Sequence, residues 1–290
     1  MVAKTERLPV PGETVLGGAF IMAAGGKGAN QAVAAARLGG EVVFIAKVGD
    51  DVFGRQALES FGREGIATSC IVRDAVNPSG VALITVDSRG ENCIVVASGA
   101  NANLMSGDVP VEKIKNAALV LIQLEIPLQT VEYVAAQASA QGVPVILNPA
   151  PACALPDSLL KNVAVLTPNQ KEAEMLTGVR IEDRDSAEKA AAVLAGKGVK
   201  TVIITLGAEG ALLLDRGTSE WVPAPAVEAV DTTAAGDVFC GALAVALAEG
   251  KLVKEAVGFG CAAAALSVTR MGAQPSAPTR KEVDRFREGL

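Results

Sequence analysis

Asp231-Thr232-Thr233-Ala234-Ala235-Gly236-Asp237-Val238-Phe239-Cys240-Gly241 leads straight into an apolar run, Ala242 to Ala248. The run reads as a buried helix. Ala234, Ala235 and Gly236 carry no bulk that would hold an anion away from the backbone. A helix that starts there aims several unpaired N–H groups, and its positive dipole end, at one point. Asp237 stands on that first turn. A carboxylate beside a backbone anion hole suits one kind of reaction: the acid oxygen accepts a hydroxyl proton while backbone donors hold a phosphoryl group. The same residues also suit an ordinary helix N-terminus in which Asp237 complements the dipole. The rest of the chain decides between the two.

Upstream, from residue 117, strands and helices alternate. Ala118 to Leu124 is apolar but for Gln123, as expected of a strand covered on both faces, and ends at Glu125. A helix follows over Val131 to Ala140, then strands Val143 to Leu147, Val163 to Leu166 and Val199 to Thr205. Ala211 to Leu214 and Trp221 to Ala224 read as a short strand pair. This repetition predicts an α/β fold with a doubly wound, mostly parallel sheet. Polar residues stand just past the strand ends at Glu125, Asn148, Asn169, Thr205 and Asp231. Ligands of such sheets bind at the carboxyl ends of the strands, so these positions are expected to converge on one crevice.

The first hundred residues are organised differently. Gly25-Gly26-Lys27-Gly28-Ala29-Asn30-Gln31 opens a helix that Gly39 closes. No Ser or Thr follows the Gly-Lys, so it is not a Walker A loop, and the third glycine of a dinucleotide fingerprint is missing. It suits either close helix packing or a bare backbone, with Lys27 and Asn30, against a polyhydroxyl ligand. Val42 to Val48 reads as a buried strand, and a helix is expected near Phe53 to Glu64. Residues 80–86 and 91–98 form a hairpin through Asp87-Ser88-Arg89-Gly90. With an extended stretch at Glu13 to Gly17 they are expected to build a small separate sheet.

Bulk properties exclude several functions. The chain has 290 residues and a net charge of −6, with 3% aromatics, which argues against a nucleic-acid surface. No apolar run approaches the length of a membrane span. Five scattered cysteines without a Cys-x-x-Cys fit a reducing cytoplasm and no zinc site. Histidine is absent, which excludes Ser-His-Asp and Cys-His triads and leaves acid–base work to other side chains.

Gly25 to Gln31 and Asp231 to Asp237 resemble, in this order, the two signatures of the PfkB-type carbohydrate kinase family. Asn169-x-x-Glu172 resembles its metal-and-phosphate motif, although Asn169 as N-cap and Glu172 at the third helical position would also make a capping box. Leu147-Asn148-Pro149-Ala150-Pro151 and Thr269-Arg270-x-Gly272-Ala273-Gln274-Pro275-Ser276 are similar to segments of its ribokinase branch. The resemblance spans essentially the whole chain, read as one domain over 1–290.

The resemblance implies ATP-dependent phosphorylation of D-ribose at O5. Asp237 would be the base and Ala234, Ala235 and Gly236 the anion hole. Gly26, Lys27, Gly28, Ala29, Asn30 and Glu125 would hold the sugar. ATP would lie against Asn169, Thr205, Leu206, Gly207, Ala208, Glu209, Gly210 and the region of Cys261, with Glu172 near Mg2+. Asp231, Thr233, Ser267, Arg270, Gly272 and Ser276 would build a K+ site. Segments at about 1–22 and 79–100 would form a β-lid that closes over the sugar and joins two subunits in a homodimer. The family also has a first strand that ends in an Asn-x-Asp motif whose aspartate grips the sugar. Met1 stands just after where that aspartate would fall, and the expectation is that residues before Met1 would add both stability and sugar affinity. Alternatives are a fructokinase or adenosine kinase of the same fold, or a non-catalytic sugar-binding protein.

Overall fold

The computed structural model describes residues 1–289. Its strands are β1 (Val2–Lys4), β2 (Phe20–Ile21), β3 (Ala46–Gly49), β4 (Ile71–Asp74), β5 (Val81–Val86), β6 (Asn92–Ala97), β7 (Val120–Ile122), β8 (Val145–Leu147), β9 (Val165–Leu166), β10 (Thr201–Thr205), β11 (Ala211–Asp215) and β12 (Thr218–Val222). Its helices are α1 (Lys27–Arg37), α2 (Val52–Arg63), α3 (Val111–Lys115), α4 (Leu128–Ala140), α5 (Asp157–Leu160), α6 (Gln170–Thr177), α7 (Arg184–Gly196), α8 (Ala235–Ala248), α9 (Val253–Ser267) and α10 (Arg280–Glu288). None of the described helices is long and apolar enough to cross a membrane.

Six strands form the main sheet in the order β12-β11-β10-β9-β8-β7. β7 to β10 run parallel, and β11 and β12 are antiparallel additions. Successive side chains alternate between two cores, as the two-residue period of a strand requires. Ile146, Val165 and Ile203 pack with α1, α8 and α9 on one face. Val145, Leu147, Leu166, Val202 and Ile204 pack with α4 and α7 on the other. Both faces are therefore apolar, which is why these strands read as unbroken hydrophobic runs. The strands β3 and β4 form a parallel pair of their own rather than joining the six. The expected strand at 42–48 is correspondingly short, and Val43 adds only an isolated bridge to Ala67.

The small sheet is present, in the order β2-β1-β5-β6. Its N-terminal strands differ from the expectation. Glu13 to Gly17 is not a strand; β1 and β2 take that place on either side of it. The cause is local. Gly12 adopts φ 84°, and the Glu13 carboxylate accepts from the Val10 N–H and pairs with Arg7, which closes a turn around Pro9 and Pro11.

The helices α1 and α8 lie in direct contact. The α8 sequence is apolar on every side and is buried from Asp237 to Ala246. The contact closes on Gly241: a Cβ there would stand 2.8 Å from the Ala34 Cβ and 2.8 Å from the Gln31 carbonyl oxygen. Only glycine lets the two backbones approach this closely. Gly241→Ala should cost about 1–3 kcal/mol by overpacking and lower the melting temperature by about 2–4 °C per kcal/mol. Gly62→Ala, where a Cβ meets nothing within 4 Å on exposed α2, should leave stability unchanged or slightly raised. Equal melting temperatures for the two variants in a calorimetric scan would contradict this reading of the contact.

Candidate active site

At the α1 N-terminus Gly26, with φ 93°, turns the chain so that the Lys27 N–H donates to Glu125 Oε2 at 2.7 Å. Glu125 stands just past β7, so this bond ties the glycine loop to the main sheet. Gly28 leaves room for a neighbour, since a Cβ there would lie 2.8 Å from Gln123 Oε1. Ala29 packs beside the Ala32, Val33 and Phe61 cluster. Asn30 and Gln31 are buried on the face of α1 that meets α8.

At the α8 N-terminus Ala234 caps the helix with φ 62°, a left-handed conformation that a residue with a Cβ seldom takes. That turn directs the first-turn N–H groups of α8 into the opening. Asp237 is only 7% exposed. Its Oδ2 accepts from Asn30 Nδ2 at 2.8 Å and its Oδ1 from Gln31 Nε2 at 3.0 Å. Burial raises its pKa above the ordinary carboxylate value; the Asn30 and Gln31 amides and the nearby Lys27 charge work against that rise. Burial likewise raises Glu125 and Glu172, and it pushes the Cys240 thiol up to about 12.

A crevice opens between these helix ends and the strand ends. Lys27, Asn148, Ala150, Thr167, Asn169, Glu172, Thr205, Thr232, Ala234, Ala235, Gly236, Asp237 and Cys240 line it. The expected convergence thus holds for Asn148, Asn169 and Thr205, with Glu125 joined through Lys27. Asn169 and Glu172 make the reciprocal capping box: Asn169 Oδ1 accepts from the Glu172 N–H at 2.9 Å, and Glu172 Oε2 from the Asn169 N–H at 2.8 Å. Gly207–Glu209 forms a short 3-10 turn beyond Thr205; Ala208 and Glu209 are exposed, Leu206 packs in the core, and Gly210, with φ 99°, lies against the β12 end. Cys261 is buried in α9 within the core and does not line the crevice.

A second group lies off the crevice. Asp231 Oδ1 accepts from the Thr233 N–H at 2.9 Å and Oδ2 from the Gly272 N–H at 2.8 Å. The Val230 and Asp231 N–H groups donate to the Val268 carbonyl at 2.7 and 3.1 Å. Burial works to raise the Asp231 carboxyl, but the Thr233 and Gly272 bonds outweigh it and hold the group below its usual range. Ser267 and Ser276 are buried and donate to the Ala264 and Ala273 carbonyls. Arg270 pairs with Glu282 at 2.7 Å. These bonds tie the 230–233 loop, which leads into α8, to the 268–272 segment.

A family model described as "pfkB family carbohydrate kinase" matches residues 1–280. The chain belongs to the pfkB family of carbohydrate kinases. It is 49% identical over 280 residues to a ribokinase of Haemophilus influenzae, covering 96% of this chain and 92% of that one. Among solved structures it is similar to an Arabidopsis thaliana ribokinase complexed with ribose and ATP, with a TM-score of 0.92 and 36% identity over 98% of this chain and 94% of that one. A Thermotoga maritima ribokinase gives a TM-score of 0.91 at 40% identity, covering 99% and 95%.

Three features of the site were given no part by the sequence: the left-handed backbone of Ala234 and the amide of Gln31, both inside the quoted motifs, and the Gln123 side chain, outside them. For Gln31 a signal existed, a polar residue facing inward amid the alanines of a buried helix face. Any turnover that needs Asp237 ionised should fall as pH drops through its raised pKa. The acid limb of a turnover profile should therefore lie above the ordinary carboxylate range; a limb at or below it would contradict the burial described here.

Proposed function

We propose that this chain transfers the terminal phosphoryl group of ATP to the 5-hydroxyl of D-ribose, with Asp237 as the proton acceptor. One observation carries the reading. Asn30 Oδ1 is buried without a hydrogen-bond partner, directly beside the Asp237 carboxylate. A buried orphan acceptor is costly unless a ligand supplies the donor. Next to a carboxylate already engaged by two N–H donors, the fitting ligand presents several hydroxyls. The sequence likeness to ribokinases and the ribose-and-ATP complex of the Arabidopsis relative support ribose as that ligand.

In this reading Asn30, Lys27, Glu125 and the Gly26–Ala29 backbone hold the sugar so that O5 meets Asp237. The proton passes to the carboxylate, the new bond forms from O5 to the terminal phosphorus, and ADP departs with the bridging oxygen. Transfer of this kind has a loose transition state, so positioning and charge neutralisation provide most of the rate. An aspartate suffices as base, and a chain without histidine can do this work. Ala234, Ala235 and Gly236 present backbone donors to the transferring group. Asn169 and the 205–210 turn border the nucleotide, whereas Cys261, enclosed in α9, takes no direct part.

The described residues contain no cluster of three His, Cys, Asp or Glu able to hold a metal by itself. Glu172, on the crevice wall, fits a Mg2+ that is held mainly by phosphate oxygens, and that ion would supply charge neutralisation there. The group of Asp231, Thr233, Ser267, Arg270, Gly272 and Ser276 offers carboxylate, hydroxyl and carbonyl oxygens, a donor set that suits K+ and would stiffen the α8 N-terminus. Phe20, Leu83, Ile94, Val95 and Val96 are exposed apolar residues on the small sheet, which suits a lid that also pairs with a second subunit. The chain would act as a single kinase domain in the cytoplasm.

Asp237→Asn should keep ribose affinity in calorimetry yet lose about 10²–10⁴ in turnover, as removal of a general base does. A coupled assay over ribose, fructose and adenosine, run on both proteins, checks this. Near-normal turnover in Asp237→Asn would exclude Asp237 as base. Preference for fructose or adenosine would move the substrate within the family, and ribose binding without turnover in the unaltered protein would make it a binding protein.

A further inference from the structure

Gln31 is 1% exposed, and all its side-chain polar atoms are engaged. Its Nε2 donates one hydrogen to Asp237 Oδ1 at 3.0 Å and the other to Asn148 Oδ1 at 3.1 Å. Its Oε1 accepts from Gln123 Nε2. Behind it, Asn148 Nδ2 donates to the Thr167 carbonyl at 2.9 Å. A carbonyl can only accept, so this last bond fixes which way Asn148 faces. Asn148 then shows its oxygen to Gln31, and Gln31 must show its nitrogen. A flipped Gln31 would set its oxygen against both the Asn148 oxygen and the carboxylate. The polarity at Asp237 is thus dictated from the ends of β7, β8 and β9, through amides alone.

We propose that Gln31 is a positioning residue for Asp237: oriented by Gln123 and Asn148, it holds one carboxylate oxygen while Asn30 holds the other, so the remaining lone pairs face the incoming hydroxyl. This rests on Asp237 being the proton acceptor. Such a relay has two effects. It fixes the carboxylate plane, and by donating to the charged form it opposes protonation inside a buried site. Other groups with charge or titration near Asp237 are Lys27 on α1, Glu125 past β7, Glu172 on α6 and Cys240 on α8. None of them is changed by a substitution at Gln31 itself.

The test compares Gln31→Met and Gln123→Met with the unaltered protein and with Asp237→Asn. Turnover is followed against pH, ribose affinity by calorimetry without nucleotide, and folding by melting temperature. Gln31→Met should move the acid limb of kcat upward by about one pH unit, the loss of one hydrogen bond to a charged group. Its kcat on the plateau should fall about ten- to a hundredfold through lost orientation, with ribose affinity nearly unchanged. Gln123→Met frees the Gln31 carbonyl oxygen without removing its donors, so it should shift the limb the same way by less. It also keeps the test valid if Gln31→Met does not fold. An unmoved limb in folded variants, or a rise in KM alone, would overturn the positioning role. If Asp237→Asn keeps its turnover, the base assignment itself falls, which separates the two failures.

Discussion

The close crossing of α1 and α8 is the contact on which the site depends. One helix carries Lys27, Asn30 and Gln31; the other starts beside Ala234 and carries Asp237. Nothing local in the sequence brings them together, since Asn30 and Asp237 are separated by 207 positions. Gly241 allows the approach, and the small residues Ala34 and Ala35 extend it. Moving α8 outward by even a methyl group's thickness would lengthen both amide contacts to the carboxylate. Packing here is therefore a condition of the chemistry and not only of stability.

The electrostatics of Asp237 are a balance of opposed terms. Burial alone disfavours the ionised carboxylate and raises its pKa. Two amide donors and the Lys27 charge oppose that without adding a permanent ion pair, which would quench the carboxylate's basicity. Glu125 and Glu172 are likewise raised by burial. Ahead of α8, the Thr233 and Gly272 N–H groups hold the Asp231 carboxyl below its usual range, so the loop that shapes the α8 start is anchored by these bonds.

Much of this was legible in the sequence because it rests on local rules. Unbroken apolar runs marked strands covered on both faces, and the reciprocal Asn169–Glu172 pair followed from its spacing alone. The glycine loops and Asp237 could be read from residue type. What could not be read depends on distant partners. The Gln31–Gln123 and Gln31–Asn148 bonds join positions 92 and 117 apart, and no period connects them. Ala234 gives no warning of its left-handed backbone, because alanine elsewhere favours a helix interior. The turn at Gly12 and Glu13 replaced an expected strand because a carboxylate closing on its own loop outcompeted extension. Position 261 shows the converse limit: residue type could not say that Cys261 is enclosed in α9.

The central claim is that the orphan acceptor of Asn30 and the carboxylate of Asp237 together receive the sugar. A crystal structure with ribose and a non-hydrolysable ATP analogue tests this most directly. The account predicts one sugar hydroxyl donating to Asn30 Oδ1 and O5 within about 2.6–3.2 Å of an Asp237 oxygen. Ribose bound with Asn30 Oδ1 still unpaired, or with O5 turned away from Asp237 toward solvent, would contradict it.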